Sequence, residues 1–187
     1  MERRELRDVD VRQSLAGWLE ENHACDQARI LHELKVPRPS ARVDVALVNG
    51  ELVSFEIKSD VDSLSRLTSQ IPACNSVFDR AYIVTTGRHI KSCLAKIPSW
   101  WGIVIACETQ KGVFVSEIRK SKINTEWCVR SSLHILTKAE LCKIALALCD
   151  QAIISSARRD NVVERIASSC DTYFVRKAIN EMLKQRS

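Results

Sequence analysis

The sequence predicts an α/β domain: a helix, three strands, a second helix and a further strand, followed by a helical C-terminal part. Three observations predict it. Short runs rich in valine and isoleucine (RVDVALV, LVSFEIKS, RAYIVTTG) are set off by Asn49-Gly50 between the first two and by Gly87 at the end of the third, the punctuation expected of strands. Apolar residues in the flanking segments recur at helical spacing. Finally, 187 residues at 45% hydrophobic and 27% charged are enough for one core of this kind. We therefore read residues 1–187 as a single domain, with a core over about 5–118 and helices over about 137–187.

In ELRDVDVRQSLAGWLEEN, Val11, Leu15, Trp18 and Leu19 share one face, predicting an amphipathic helix from about residue 5 to 21. RILHELKV is a short strand closed by Pro37 and Pro39. RVDVALV and LVSFEIKS meet at Asn49-Gly50, a strong hairpin signal. Asp62 is placed to cap a helix carrying Leu64, Leu67 and Ile71, which Pro72 kinks or ends. RAYIVTTG is a strand stopped by Gly87, IKSCLAKI a helix, and GIVIACE with VFVSEIR a hairpin around TQKG. RKSKINTEWCVR reads as basic and irregular. Thr137 and Glu140 form a capping box that opens a helix through Leu148. NVVERIAS and TYFVRKAINEML add two more helices.

Several classes are excluded. No run approaches the length of a membrane span. MERRELRDVDVRQ lacks the apolar segment of a signal peptide, so a cytoplasmic location is expected. Eight cysteines without a CxxC pair read as buried free thiols, not as a zinc or iron–sulfur site. The net charge of +5 permits a polyanionic partner without requiring one.

The central hairpin carries the chemistry. Strand side chains alternate between faces. A two-residue loop at Asn49-Gly50 would put Asp44 and Glu56 on opposite faces and mix charge with bulk on both. An odd loop instead gathers Val43, Val45, Leu47, Val53, Phe55 and Ile57 on one apolar face. Arg42, Asp44, Ser54, Glu56 and Lys58 then share the other. Register follows the pattern that buries a whole apolar face, so the odd loop is expected, with three residues and Gly50 at positive φ in a bulge. Two carboxylates and a lysine on one face suit a hard divalent cation and an anionic substrate. The plain alternative is a salt bridge on an exposed sheet face, worth about 0–1 kcal/mol.

Asp44, eleven residues, then Glu56-Ile57-Lys58 resembles the core motif of the PD-(D/E)XK nuclease superfamily. Val43 stands where the motif has proline. Further matches are Arg42-Val43-Asp44, Glu56-Ile57-Lys58-Ser59-Asp60, Arg66-Leu67, Gln70, Phe78-Asp79 and Trp101-Gly102. These are similar to a small bacterial and phage subfamily over about residues 30–105. The resemblance implies a restriction-endonuclease-like α-β-β-β-α-β core with a mixed sheet. It also implies an Mg²⁺ (or Mn²⁺) ion held by Asp44, Glu56 and the Ile57 carbonyl, with Lys58 as catalytic lysine. Gln70 resembles the glutamine of RecB-like members, although Cys74 replaces the tyrosine that often follows there. Glu33 is the candidate upstream acid and further metal ligand, with Glu20 and Glu21 behind it.

Arg42 and Arg66 are candidates for phosphate contacts. Arg176, Lys177 and Lys184 on the last helix pair would suit a helix-turn-helix, though packed helical hairpins are commoner. Trp100-Trp101 reads as a buried anchor before a stacking platform, and His32 and His89 as ordinary histidines. The expected function is metal-dependent hydrolysis of DNA phosphodiesters. The rival is a non-cleaving module of the same fold that binds DNA or a protein partner. DNA is the expected partner and a membrane is not; a homodimer is left open.

Overall fold

The computed structural model describes residues 4–23, 28–37, 42–149 and 157–186, so Cys25 and Pro39 lie outside the described residues. Helix α1 (Asp8–His23) precedes strands β1 (Arg29–Lys35), β2 (Arg42–Val48) and β3 (Leu52–Lys58). Helix α2 (Leu67–Asn75) leads to β4 (Arg80–Thr86), and α3 (Ile90–Leu94) to β5 (Gly102–Thr109) and β6 (Gly112–Arg119). Four helices follow: α4 (Val129–Leu133), α5 (Lys138–Cys149), α6 (Arg159–Ser169) and α7 (Thr172–Lys184). The strands form one six-stranded mixed sheet in the order β1 to β6. β3, β4 and β5 run parallel, joined through α2 and α3, while β1–β2, β2–β3 and β5–β6 are antiparallel. No helix among the described residues is long and apolar enough to cross a membrane.

Both faces of the sheet are covered. On one, Val11, Leu15 and Leu19 of α1 pack against Val45, Leu47, Phe55 and Ile57. On the other, the remaining helices close over Ala46, Val48, Leu52 and Ile83. The hairpin has the odd loop its pattern requires. Val48 pairs with Leu52, leaving Asn49, Gly50 and Glu51 as the loop, with Gly50 at φ +108°. The pairing runs from there to Val45–Phe55 with no register shift, so no bulge is seen.

Val43 departs from the expected face and packs in the second core with Leu34 and Val36. Regular alternation ends at this point. Glu33, opposite Asp44, stands at φ +54°. A left-handed non-glycine residue costs on the order of 1–2 kcal/mol, so local contacts must hold it.

Two other expectations need correction. Asp62 does not cap a helix; its Oδ2 accepts from the Ser59 N–H (2.7 Å) and hydroxyl (2.6 Å), closing the turn after β3. Consequently α2 begins only at Leu67, and Pro72 lies within it without ending it. The stretch read as irregular ends at α4, whose Leu133 is buried. The last helix pair packs, the commoner of the two readings. Val163, Ile166, Val175 and Ile179 are in the core. Arg176 turns inward, 2.8 Å from Asp79 and 4.2 Å above the Trp127 ring. The capping box stands as expected, with Thr137 N donating to Glu140 at 2.6 Å and Glu140 N to Thr137 Oγ1 at 3.3 Å.

Trp101 is a buried anchor whose indole N–H donates to Asn75 Oδ1 at 2.9 Å. The cysteines of the described residues are free, with the Cys149 and Cys170 sulfurs 2.8 Å apart. Gly102 is required by the core. A Cβ there would fall inside the Tyr82 ring, which is stacked on Phe55 at 5.0 Å and cannot retreat. Gly102→Ala should therefore cost about 1–3 kcal/mol, the usual range for overpacking. A urea midpoint within error of the parent would disprove this.

Candidate metal centre

Glu56 and Lys58 are two residues apart on β3 and so point the same way. Lys58 Nζ donates to Glu56 Oε1 at 2.7 Å, with the side chains 5% and 1% exposed. β2 brings Asp44 alongside, and its Oδ2 accepts from the Ile57 N–H at 2.7 Å. The carboxylate thus takes a donor that a strand carbonyl would otherwise use, where the regular pairing of β2 with β3 stops.

The proximity has an electrostatic consequence. Burial, reinforced by the negative charge of Asp44, pushes Glu56 up to about 7, against the opposing pull of Lys58 and Gln70. Burial also raises Asp44, against the Ile57 N–H, Lys58 and Arg12. Glu56 Oε2 and Gln70 Oε1 are buried without a hydrogen-bond partner. A buried acceptor oxygen without a donor costs roughly 1–3 kcal/mol, and a cation or a proton relieves it. That chemistry fits a divalent ion, which commonly takes one or two protein carboxylates.

Glu33 does not complete the set. Among the described residues no group of three or more His, Cys, Asp or Glu is arranged to hold a metal. The Glu33 carboxylate is half exposed and turned to Arg12 (3.4 Å) and Arg42 (3.9 Å), because its left-handed backbone takes it out of the strand's alternation. Glu20 and Glu21 are exposed near the end of α1, away from its N-terminal turn. Cys74 is fully buried, and burial beside Glu56 raises its thiol well above the ordinary range. Arg42 and Arg66 are exposed.

Two residues of the site were not foreseen, Asp8 and Arg12. The backbone of Leu6 is paired with Asp60: Leu6 N donates to Asp60 Oδ2 at 2.8 Å and Asp60 N to Leu6 O at 3.0 Å. Thr86 fixes the other Asp60 oxygen at 2.5 Å. This clamp sets the start of α1 beside the ends of β3 and β4. Arg12 Nη1 then donates to the Asp44 carbonyl at 2.7 Å, Nη2 to Asp44 Oδ1 at 3.3 Å, and Nε to Asp8 Oδ1 at 3.0 Å. The i, i+4 pairing of Asp8 with Arg12 was legible as a helix-surface pair. Its direction was not.

The shifted carboxylate has a consequence for stability. A folded-state pKa above the unfolded value means the folded protein holds the proton longer. Stability is then highest below about 4.5 and falls as pH rises through about 7. Asp44 acts in the same sense. The metal-free protein should lose on the order of 3 kcal/mol across that window, at 1.36 kcal/mol per pKa unit. Urea unfolding from pH 4.5 to 8 in EDTA measures this. A flat profile, or one matched by Glu56→Gln, would remove Glu56 as the cause.

The family model described as Bacteriophage P4 protein cII matches residues 1–187. Protein cII of Enterobacteria phage P4 is 30% identical over 181 residues, covering 97% of this chain and 68% of the relative. No solved structure matches the chain.

Proposed function

The chain belongs to the bacteriophage P4 protein cII family, and from its site we propose that it is a nuclease that uses Mg²⁺ (or Mn²⁺) to hydrolyse DNA phosphodiesters in the cytoplasm. One observation carries this reading: Glu56 and Lys58 are buried beside a half-buried second carboxylate, Asp44, that repels Glu56, and two acceptor oxygens there are unsatisfied. A fold has no stability reason to keep that arrangement, since an apolar replacement of similar volume is often neutral or stabilising. On this reading the mixed sheet and its helices are restriction-endonuclease-like.

Asp44, Glu56 and the Ile57 carbonyl would hold the ion. Once bound, it lowers the pKa of a water and offsets charge developing on phosphorus. Lys58, 2.7 Å from Glu56, keeps a positive charge beside the carboxylates for a non-bridging phosphate oxygen and orients the attacking water. Gln70 positions Glu56 from α2. Arg42 and Arg66, both exposed, meet the phosphates on either side and set register on the strand.

Incubation with supercoiled plasmid and single-stranded DNA, in Mg²⁺ or Mn²⁺ with an EDTA control, tests the proposal. Metal-dependent cleavage is the expected result. No cleavage of any DNA or RNA supports the second reading, a non-cleaving module binding DNA or a protein. One feature favours that reading: Arg12 already provides a cation at Asp44.

A further inference from the structure

We propose that Arg12 gates the cation site: its guanidinium stands at Asp44, and a divalent ion enters only by displacing it. This rests on the metal-site reading above. Every Asp44 oxygen already has a donor. Oδ2 is committed to the Ile57 N–H at 2.7 Å, Oδ1 to Arg12 Nη2 at 3.3 Å, and the main-chain carbonyl to Arg12 Nη1 at 2.7 Å. The same guanidinium reaches Asp8 Oδ1 (3.0 Å), Asp8 Oδ2 (3.3 Å) and Glu33 Oε1 (3.4 Å). Three carboxylates therefore surround one monovalent cation.

The gate stands on the solvent side of the cluster. The side chains of Arg12 and Asp44 are 23% and 21% exposed, against 1% for Glu56. An ion approaching Glu56 past Asp44 meets the guanidinium first. The hold is also weak enough to break. Charge-assisted N–H···O contacts are usually about 2.7–2.9 Å long, and both contacts from Nη2 to the carboxylates of Asp44 and Glu33 exceed that. A divalent ion brings twice the charge to Asp44. When Arg12 yields, Asp8 one turn earlier retains it. Meanwhile α1 itself stays anchored by Val11, Leu15 and Leu19 and by the Leu6–Asp60 clamp.

The gate predicts the sign of a binding change, and a merely supportive arginine predicts the opposite sign. Mn²⁺ is titrated into the full chain by calorimetry, with free Mn²⁺ followed by electron paramagnetic resonance. Parent, Arg12→Gln, Arg12→Met and Asp44→Ala proteins are compared after melting curves have verified folding. Arg12→Gln should bind Mn²⁺ at least tenfold more tightly. Arg12→Met, which keeps the length of the side chain without its charge, should shift affinity the same way, and this holds even if Arg12→Gln fails to fold. Asp44→Ala should lose binding. Affinity unchanged or weakened in Arg12→Gln and Arg12→Met, with the parent still binding, overturns the gate alone and makes Arg12 an organiser of Asp44. No Mn²⁺ binding by any variant overturns the metal site and the gate with it.

Discussion

Glu56→Gln is expected to reduce Mg²⁺-dependent cleavage of DNA to background while making the metal-free protein more stable above pH 7. Both effects follow from one buried carboxylate. Its ionised form is what an ion would bind, and an amide offers a neutral oxygen that binds Mg²⁺ far more weakly. The same ionised form is what the fold disfavours. Even with Lys58 at 2.7 Å, burial and Asp44 hold Glu56 at about 7, so above that pH folding must bury an ionised carboxylate, a charge that the neutral amide never carries. The gain is bounded by the pKa shift, on the order of 3 kcal/mol, and is reduced because Lys58 loses its counter-charge. Cleavage assays at saturating metal, paired with melts at pH 8, decide it. Retained cleavage would dismiss Glu56 as a ligand. Lost cleavage accompanied by unfolding would make it a structural residue.

Lys58→Ala should slow cleavage on the order of 10³-fold at saturating DNA and metal, the scale for removing one preorganised group facing transition-state charge. DNA affinity should hardly change, because one ammonium that is 5% exposed adds little to a surface contact. A second signature separates this from loss of structure. Lys58 holds the Glu56 pKa down by charge and by hydrogen bond. Without it Glu56 titrates higher, and the residual rate should rise through a midpoint shifted to higher pH. Single-turnover rates from pH 6 to 9 report both. A variant that keeps the parent rate, or one whose pH profile does not move, would remove Lys58 from the chemistry.

The aims of the charged side chains in this protein were only partly readable before folding. Asp62, next to a plausible helix start, looked like a cap, yet it closes the turn after β3 onto Ser59. Arg176 on the last helix carried no sign of its partners, yet it turns to Asp79 and Trp127. Glu33 looked like an upstream acid, yet a left-handed backbone and two arginines take it out of the set. A charge carries no periodic signal of its own. Its partner is whichever opposite charge packing brings near, often from a distant part of the chain.

Alternation along β2 and β3 was enough to decide the register. With odd positions apolar and Asp44, Glu56 and Lys58 all even, a three-residue loop alone buries a consistent face, and Val48 pairs with Leu52 accordingly. The capping box at Thr137 and the strand and helix order followed from equally local patterns. Those features depend on neighbours a few residues apart, and the period of the backbone enforces them. The start of α2, the side taken by Val43, and the arrival of Asp8 and Arg12 at Asp44 were decided only in three dimensions. Each hangs on contacts between remote segments, such as the Leu6–Asp60 clamp across 54 residues, whose strength depends on burial that only the assembled sheet and helices create.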